Sequence, residues 1–347
     1  MVKADNKAVI YRKVPDEYPI PGEHLVVESK ELDENLGENE VLTRNLYFSL
    51  DPYLRNRMKP AESFKPDYTT RYEVGKTIDN YAVGEVVASK NPKYPVGAVV
   101  SGFLGLEEYT RVLANQSLAI IEDARTSKLS LSHHVGALGM PGITAYGSLL
   151  EIGKPKAGET IYVSAASGAV GQLVGQIAKR LGLRVIGSAG SDEKVEYLLK
   201  ELKFDAAFNH RGGNILKSLR AAAPEGIDIY YENVGGEALD AALEVLNHHG
   251  RIVASGMITG YNTEAPYAYK NLINIVSRRL KIEGFISDDF SEETKANFER
   301  DVKAWLLSGE IVYREDVTFG LEKAPEAFLG LYQGKNFGKA VVKIADL

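Results

Sequence analysis

The chain has 347 residues, enough for two domains with full hydrophobic cores, and its 44% hydrophobic and 25% charged residues are those of an ordinary globular protein. A count of Lys+Arg 41 against Asp+Glu 47 leaves a net charge of -6, which offers no field to gather nucleic acid, and no apolar run approaches the ~20 residues that span a bilayer. Cysteine is absent, which excludes disulfides, thiolate zinc ligands and thiol nucleophiles, so redox chemistry falls to a bound organic cofactor.

The start, Met-Val-Lys-Ala-Asp-Asn-Lys, has neither the apolar core of a secretory signal nor an Arg-rich transit pattern, so a cytoplasmic chain is expected, with no membrane partner. The first ~130 residues contain short apolar runs, Glu40 to Arg44, Tyr81 to Ala88 and Gly97 to Ser101, punctuated by Pro, Gly and Asn. They predict a β-barrel-like or sheet-rich module. The acidic stretch Glu31 to Glu40 reads as a solvated loop. The six histidines, His24, His133, His134, His210, His248 and His249, lack metal-ligand spacing, and no metal site is expected.

From Gly142 the pattern becomes alternating strand and helix. Strands are predicted at Ile161 to Ser164, Arg184 to Ser188, Asp205 to Phe208, Ile227 to Glu232, Gly250 to Ser255 and Leu280 to Phe285. Helical stretches lie between them, including Val170 to Leu181, and alternation of this kind predicts a parallel doubly wound sheet, hence an α/β fold. Glu292 to Leu307 reads as a helix with Trp305 on its apolar face, and Lys339 to Ile344 as a strand that returns to the first module.

The run Thr160-Ile-Tyr-Val-Ser-Ala-Ala-Ser-Gly-Ala-Val-Gly171 carries most of the information. A buried strand breaks into Ala165-x-x-Gly168-x-x-Gly171, whose small residues let backbone approach a pyrophosphate, and a helix then opens with its amides facing the phosphates. Ala stands where the usual fingerprint begins with Gly, so a plain tight turn is the alternative. An NAD site needs Asp or Glu about 20 residues on, for the ribose hydroxyls. Here Ser188-Ala-Gly190-Ser191 occupies that place, followed by Lys194, while His210 and Arg211 close the third strand. Positive charge at that point favours a 2′-phosphate, and so NADPH. The alternative makes Lys194 a solvated lysine and Asp192 the missing carboxylate.

Five motifs in this order resemble the zinc-independent branch of the medium-chain dehydrogenase/reductase superfamily that holds the leukotriene dehydrogenase/prostaglandin reductases and plant-type alkenal double-bond reductases. They are Asn45-Leu-Tyr-Phe-Ser-Leu-Asp-Pro-Tyr-Leu-Arg55, Leu138-Gly-Met-Pro-Gly-Ile-Thr-Ala-Tyr146, Ser188-Ala-Gly-Ser-Asp-Glu-Lys194, Glu232-Asn-Val-Gly-Gly236 and Gly334-Lys-Asn-Phe-Gly-Lys339. The resemblance covers nearly the whole chain. It implies a GroES-like, β-rich substrate domain over residues 1–135 and 310–347, a Rossmann NADPH-binding domain over residues 136–309, and a homodimer. It also implies reduction of the carbon-carbon double bond of α,β-unsaturated aldehydes and ketones.

Carried over by position, the resemblance puts Gly168, Ala169, Val170 and Gly171 on the pyrophosphate, Gly190, Lys194 and His210 at the 2′-phosphate end, and Asn233 on the ribose side. Pro141 and Thr144 then lie beneath the nicotinamide, although a helix-entry turn explains Pro141 equally well. Gly256, Met257, Ile258, Tyr261, Phe285, Ile286, Ser287, Asn336 and Gly338 border the nicotinamide. His210 departs from the family, which places Tyr there, and this makes a phosphate contact pH-dependent.

Conjugate reduction needs a hydroxyl donor near the carbonyl oxygen, which gains enolate character as hydride reaches the β-carbon. The resemblance gives Tyr261 that role, as polarising donor and candidate proton source. A phenol with an ordinary pKa of about 10 acts as a neutral donor. Tyr53, set by the rigid Asp51-Pro52 turn, and Tyr81 are the candidate substrate walls; ordinary aromatic core is the alternative for both. Loops around Phe64, Tyr68 and Tyr261 set the pocket size. Quinone reduction, 15-oxoprostaglandin-type enone reduction and a non-catalytic NADPH-binding role remain as competing functions.

Overall fold

The computed structural model describes residues 5–63, 69–263 and 265–347. Phe64 and Tyr68 lie outside the described residues. The chain divides into two compact units, one made of the chain up to Gly139 together with Glu315–Leu347, the other of Met140–Arg314.

The first unit is built on a mixed seven-stranded sheet. Its path runs Glu315–Phe319, Lys339–Lys343, Val41–Ser49, Asp79–Ser89, Val99–Gly105, Ala119–Ile120, with Tyr109–Val112 also pairing Val41–Ser49. Asp5–Tyr11 and Leu25–Glu31 form a separate antiparallel pair. The tail strand enters this sheet between two partners, parallel to Glu315–Phe319 and antiparallel to Val41–Ser49 with Val341 opposite Ser49. Phe48, Leu50, Leu54, Met58, Val100 and Phe328 sit in one buried cluster. Glu40 departs from the solvated-loop expectation. It is buried, and its carboxylate accepts from the Gly37 backbone N–H and from Arg111 at 2.7 Å each, so a charge partner 71 residues away draws it in.

The second unit is a six-stranded, all-parallel sheet in the order Ala206–Asn209, Arg184–Ala189, Thr160–Val163, Ile227–Glu232, Leu246–Ala254, Lys281–Gly284. The first strand in sequence therefore lies mid-sheet, and the order reverses between it and Ile227–Glu232. Ile161, Tyr162 and Val163 are fully buried, as a central parallel strand covered on both faces must be. Gly171–Arg180, Asp192–Lys200, Ile215–Ala222 and Gly236–Val245 are the crossover helices. Side-chain caps start several helices: Ser191 accepts from the Lys194 N–H, Asn214 from Lys217 and Ser291 from Thr294. The last of these opens Glu292–Ser308, whose Trp305 lies under the Arg180 guanidinium, 4.3 Å from ring centroid to Cζ. Among the described residues no helix is long and apolar enough to cross a membrane.

Candidate functional site

The switch point of an open parallel sheet leaves a crevice at the strands' carboxyl ends. In the second unit that point follows Val163. Ala165 turns the chain with φ +46, a left-handed conformation that costs an alanine ~1–2 kcal/mol and explains why glycine is usual there. The turn is then pinned on both sides. The Gly168 N–H donates to the Ala165 carbonyl at 2.9 Å, and the Ala166 N–H donates to the Ser188 carbonyl of the neighbouring strand at 2.9 Å. Gly168 and Val170 carbonyls accept the first helical bonds, from Gln172, Leu173 and Val174. Among the described residues, the backbone N–H groups of Ala169, Val170 and Gly171 have no acceptor; Ala169 and Val170 are half-exposed and Gly171 is buried. Every helix start leaves such amides; this one directs them at the crevice.

One strand over, Gly190 closes Arg184–Ala189. A Cβ on it would lie 3.4 Å from His210 Cε1 and 3.5 Å from Arg211 Nε, so both side chains reach across to this turn. His210 is held below the usual imidazole range, first by burial, then by the Arg211 charge, with Lys194 adding; a hydrogen bond to the Ala189 backbone opposes the shift. Lys194, His210 and Arg211 thus share one neighbourhood. Asp192 accepts from the Asn209 side chain at 2.8 Å.

On the other side of the switch point, the Asn233 amide donates to the Ser164 carbonyl at 2.8 Å, and its backbone N–H donates to the Ser164 hydroxyl at 3.0 Å. The fully buried Glu232 carboxyl organises this turn by accepting from the Val234 and Gly235 N–H groups and from the Tyr230 hydroxyl. Burial raises its pKa. No role for Glu232 follows from the motif resemblance; the sequence signal for one is a carboxylate that ends a strand just before an Asn-Val-Gly-Gly turn. The segment after the next strand is tied to the same place, since Ile258 and Thr259 N–H groups donate to the Asn233 and Val234 carbonyls at 3.3 and 3.1 Å. Within it the Tyr261 hydroxyl folds back to 3.2 Å from where a Gly256 Cβ would stand. Met257 is exposed. Phe285 to Ser287 follow the adjacent strand, whose Gly284 pairs with Ala254. Asn233, Gly256, Met257, Ile258 and Tyr261 are therefore brought together at one sheet edge. Pro141 and Thr144 are buried in the helix Met140–Ser148, whose Ser148 hydroxyl bonds to Tyr231 at 2.7 Å.

The remaining sequence candidates belong to the first unit. Tyr53, in the turn of 3-10 helix Pro52–Met58, donates to Asn80 Oδ1 at 2.5 Å. Tyr81 packs on Phe103 with ring centroids 4.5 Å apart. The Asn336 amide donates to the Gly338 carbonyl at 2.7 Å, and Gly338 has φ +90.

A parallel doubly wound sheet with a small-residue turn at its switch point defines the dinucleotide-binding class of proteins. Two family models match the chain, one described as N-terminal domain of oxidoreductase over residues 7–121, the other as zinc-binding dehydrogenase over residues 169–301. A zinc-type alcohol dehydrogenase-like protein of Schizosaccharomyces pombe is 46% identical, over 98% of this chain and 99% of that protein. The tobacco (Nicotiana tabacum) 2-alkenal reductase (NADP(+)-dependent) is 42% identical over 99% and 98%. The crystal structure of CurA in complex with NADPH from Vibrio vulnificus superposes with a TM-score of 0.89 at 36% identity, covering 98% of this chain and 100% of that one. The chain belongs to the medium-chain dehydrogenase/reductase superfamily, in its double-bond reductase branch, and is an oxidoreductase. The zinc in one family description does not fit these residues. The chain offers no thiolate, and among the described residues no three His, Asp or Glu side chains cluster to hold a metal ion.

Proposed function

We propose that the protein is an NADPH-dependent reductase of the carbon-carbon double bond of α,β-unsaturated aldehydes and ketones. What supports this function is the meeting, at one edge of the parallel sheet, of three uncommitted amides, the Lys194 and Arg211 charges beside His210, and the Tyr261 phenol, in a chain similar throughout to a 2-alkenal reductase. Bound NADPH supplies the hydride that adds to the β-carbon, and the α-carbon takes a proton. Ala169, Val170 and Gly171 hold the pyrophosphate; Lys194, with His210 and Arg211, holds the 2′-phosphate; Asn233 faces the ribose. Tyr261 donates to the substrate oxygen as it gains negative charge. The second unit is the coenzyme domain, and Tyr53 and Tyr81 are the substrate-binding tyrosines. Incubation with NADPH and trans-2-hexenal is expected to yield the saturated aldehyde. An allylic alcohol product, or turnover of a simple quinone with none of the enal, would overturn this function.

The phosphate assignment has its own measurement. Lys194→Ala removes a charge-assisted hydrogen bond of ~1.5–3 kcal/mol, so the KM for NADPH should rise about 10- to 100-fold while that for NADH stays nearly constant. Equal changes for both coenzymes would remove Lys194 from the phosphate.

A cytoplasmic homodimer completes this picture. Lys281–Gly284 is an open sheet edge with Ile282 exposed, and the preceding helix Ile273–Ser277 exposes Ile273 and Val276 at 69% and 72%. A bare strand edge beside apolar side chains fits a second copy. Light scattering should report twice the 38.0 kDa chain mass, and a monomer across micromolar concentrations would refute the dimer.

A further inference from the structure

The turn Glu232-Asn-Val-Gly-Gly236 hangs on a single carboxyl oxygen. Glu232 Oε1 accepts the Val234 N–H at 2.5 Å, the Gly235 N–H at 2.8 Å, the Tyr230 hydroxyl at 2.9 Å and the Ser164 hydroxyl at 3.4 Å. Its twin, Oε2, is buried and has no hydrogen-bond partner among the described residues. The Glu232 backbone carbonyl accepts from the Ser255 and Gly256 N–H groups at 3.0 and 3.1 Å, so the same residue also holds the start of the Tyr261 segment.

Counting hydrogens gives the direction in which Asn233 faces. The Ser164 carbonyl only accepts, so the Asn233 group 2.8 Å from it is the NH2, and the amide oxygen is turned away. Asn233 is half-exposed, and an oxygen is what a ribose hydroxyl needs as acceptor. The same counting bears on the charge of Glu232. The strongest influences on its titration are burial and the four donors to Oε1, none of them a cation; burial outweighs the donors and raises the pKa. Ionised, the group would leave an anionic oxygen in the interior with no donor, whereas a hydrogen on Oε2 makes it a neutral acid. The other titratable groups that face it are phenols, Tyr230 on its own strand and Tyr162 on the neighbouring one, stacked with ring centroids 5.0 Å apart. Burial raises both, so they are neutral as well.

An uncharged group suits this place. The crevice has to take in a pyrophosphate and a 2′-phosphate, and a carboxylate behind the ribose would add a like charge. We infer that Glu232 is a positioning residue for the coenzyme, a neutral carboxyl whose one accepting oxygen fixes the turn that presents the Asn233 amide oxygen to the ribose. This rests on the NADPH-binding role proposed above. It separates two kinds of coenzyme contact. Lys194 meets the 2′-phosphate, which only NADPH has. Asn233, on the other side of the switch point, meets the ribose on the nicotinamide side, which NADPH and NADH share.

Infrared spectroscopy and coenzyme titration of the full chain test this. The difference spectrum between the unaltered protein and Glu232→Gln at neutral pH should contain the carbonyl stretch of a protonated carboxylic acid. Carboxylate bands in its place would overturn the inference. Glu232→Gln keeps an accepting oxygen, so its Kd values for NADPH and NADH, from fluorescence titration well below the melting temperature, should stay within about twofold of the unaltered protein. Glu232→Met has similar length and no acceptor. It should raise both Kd values about tenfold, the factor for one lost hydrogen bond, and leave their ratio unchanged, whereas Lys194→Ala changes the ratio. A residue that served only packing would lower the melting temperature of Glu232→Met with both Kd values unmoved, and that result overturns the inference, as would equal losses in Glu232→Gln and Glu232→Met. Should Glu232→Met fail to fold, hydrogen exchange in the unaltered, coenzyme-free protein replaces it: the Val234 and Gly235 amides should exchange slowly, and fast exchange would show that the carboxyl does not hold the turn. Failure of the unaltered protein to bind NADPH would count against the coenzyme role alone, and the infrared and exchange measurements would still decide what the Glu232 carboxyl does.

Discussion

Tyr261→Phe is expected to lower kcat for enal reduction about 100-fold, the loss that follows removal of one donor to a developing oxyanion, while leaving the KM for NADPH unchanged. The local geometry makes the substitution clean. Tyr261 ends a short 3-10 turn, Ile258–Gly260, with its N–H donating to the Ile258 carbonyl at 3.2 Å, so its backbone placement does not depend on the hydroxyl. The hydroxyl rests close to the bare Gly256, at the carboxyl end of the strand Leu246–Ala254. A Gly256→Ala side chain would stand 3.2 Å from the phenol oxygen, the far end of a flexible side chain, which moves aside by a few tenths of an ångström. Tyr261→Phe should therefore exceed Gly256→Ala in its effect on kcat, because one deletes the donor and the other only shifts it. Stopped-flow measurement of NADPH oxidation with a saturating enal checks both. A wild-type rate in Tyr261→Phe would assign the polarising role elsewhere, and Tyr53, with its hydrogen committed to Asn80, could not take it.

How far the sequence reaches depends on the range of the physics involved. The parallel sheet was legible because its central strands are apolar runs set off by turn residues, and Ile227–Glu232 is found with the predicted limits. Leu246–Ala254 begins four residues before its predicted start. His248 and His249 lie in the part of the strand outside its predicted limits, and the strand accommodates them through His249 in a left-handed conformation at φ 64. At the candidate site, the turn from Ser164 to Gly171 could be read because its requirements are local: small residues, a strand before, a helix after. The bonds behind Tyr53 could not. Asn80, which accepts its hydroxyl, donates to Asp51, and Asp51 pairs with Lys339 from 288 residues away, so no spacing rule links them. Glu40 and Arg111, 71 residues apart, illustrate the same limit. Charge pairs brought together by strand order are set by topology, which the one-dimensional pattern does not encode.

Gly171→Ala is expected to be the most damaging single-methyl change in the coenzyme turn. The third glycine of such a turn sits where helix and strand-end backbone touch. Here a Cβ at residue 171 would meet the Ala165 carbonyl oxygen at 2.6 Å, Ala166 Cα at 2.8 Å and Ala166 C at 3.0 Å. All three are main-chain atoms, so no rotamer change relieves the overlap, and the turn must move off the helix start. That movement costs ~1–3 kcal/mol, as overpacking does. It also breaks the alignment of the Ala169, Val170 and Gly171 amides, so NADPH affinity should fall about 10- to 100-fold. Gly168→Ala provides the comparison, since its Cβ would meet only the Ala165 oxygen, at 3.1 Å. Its losses in coenzyme affinity and in apo-protein melting temperature should both be smaller. Fluorescence titration with NADPH and thermal melts of the coenzyme-free protein separate the two consequences. Melting temperatures that fall in this order with NADPH affinity unmoved would keep the packing argument and dismiss the turn as the phosphate site; an unchanged melting temperature in Gly171→Ala would dismiss the packing argument itself.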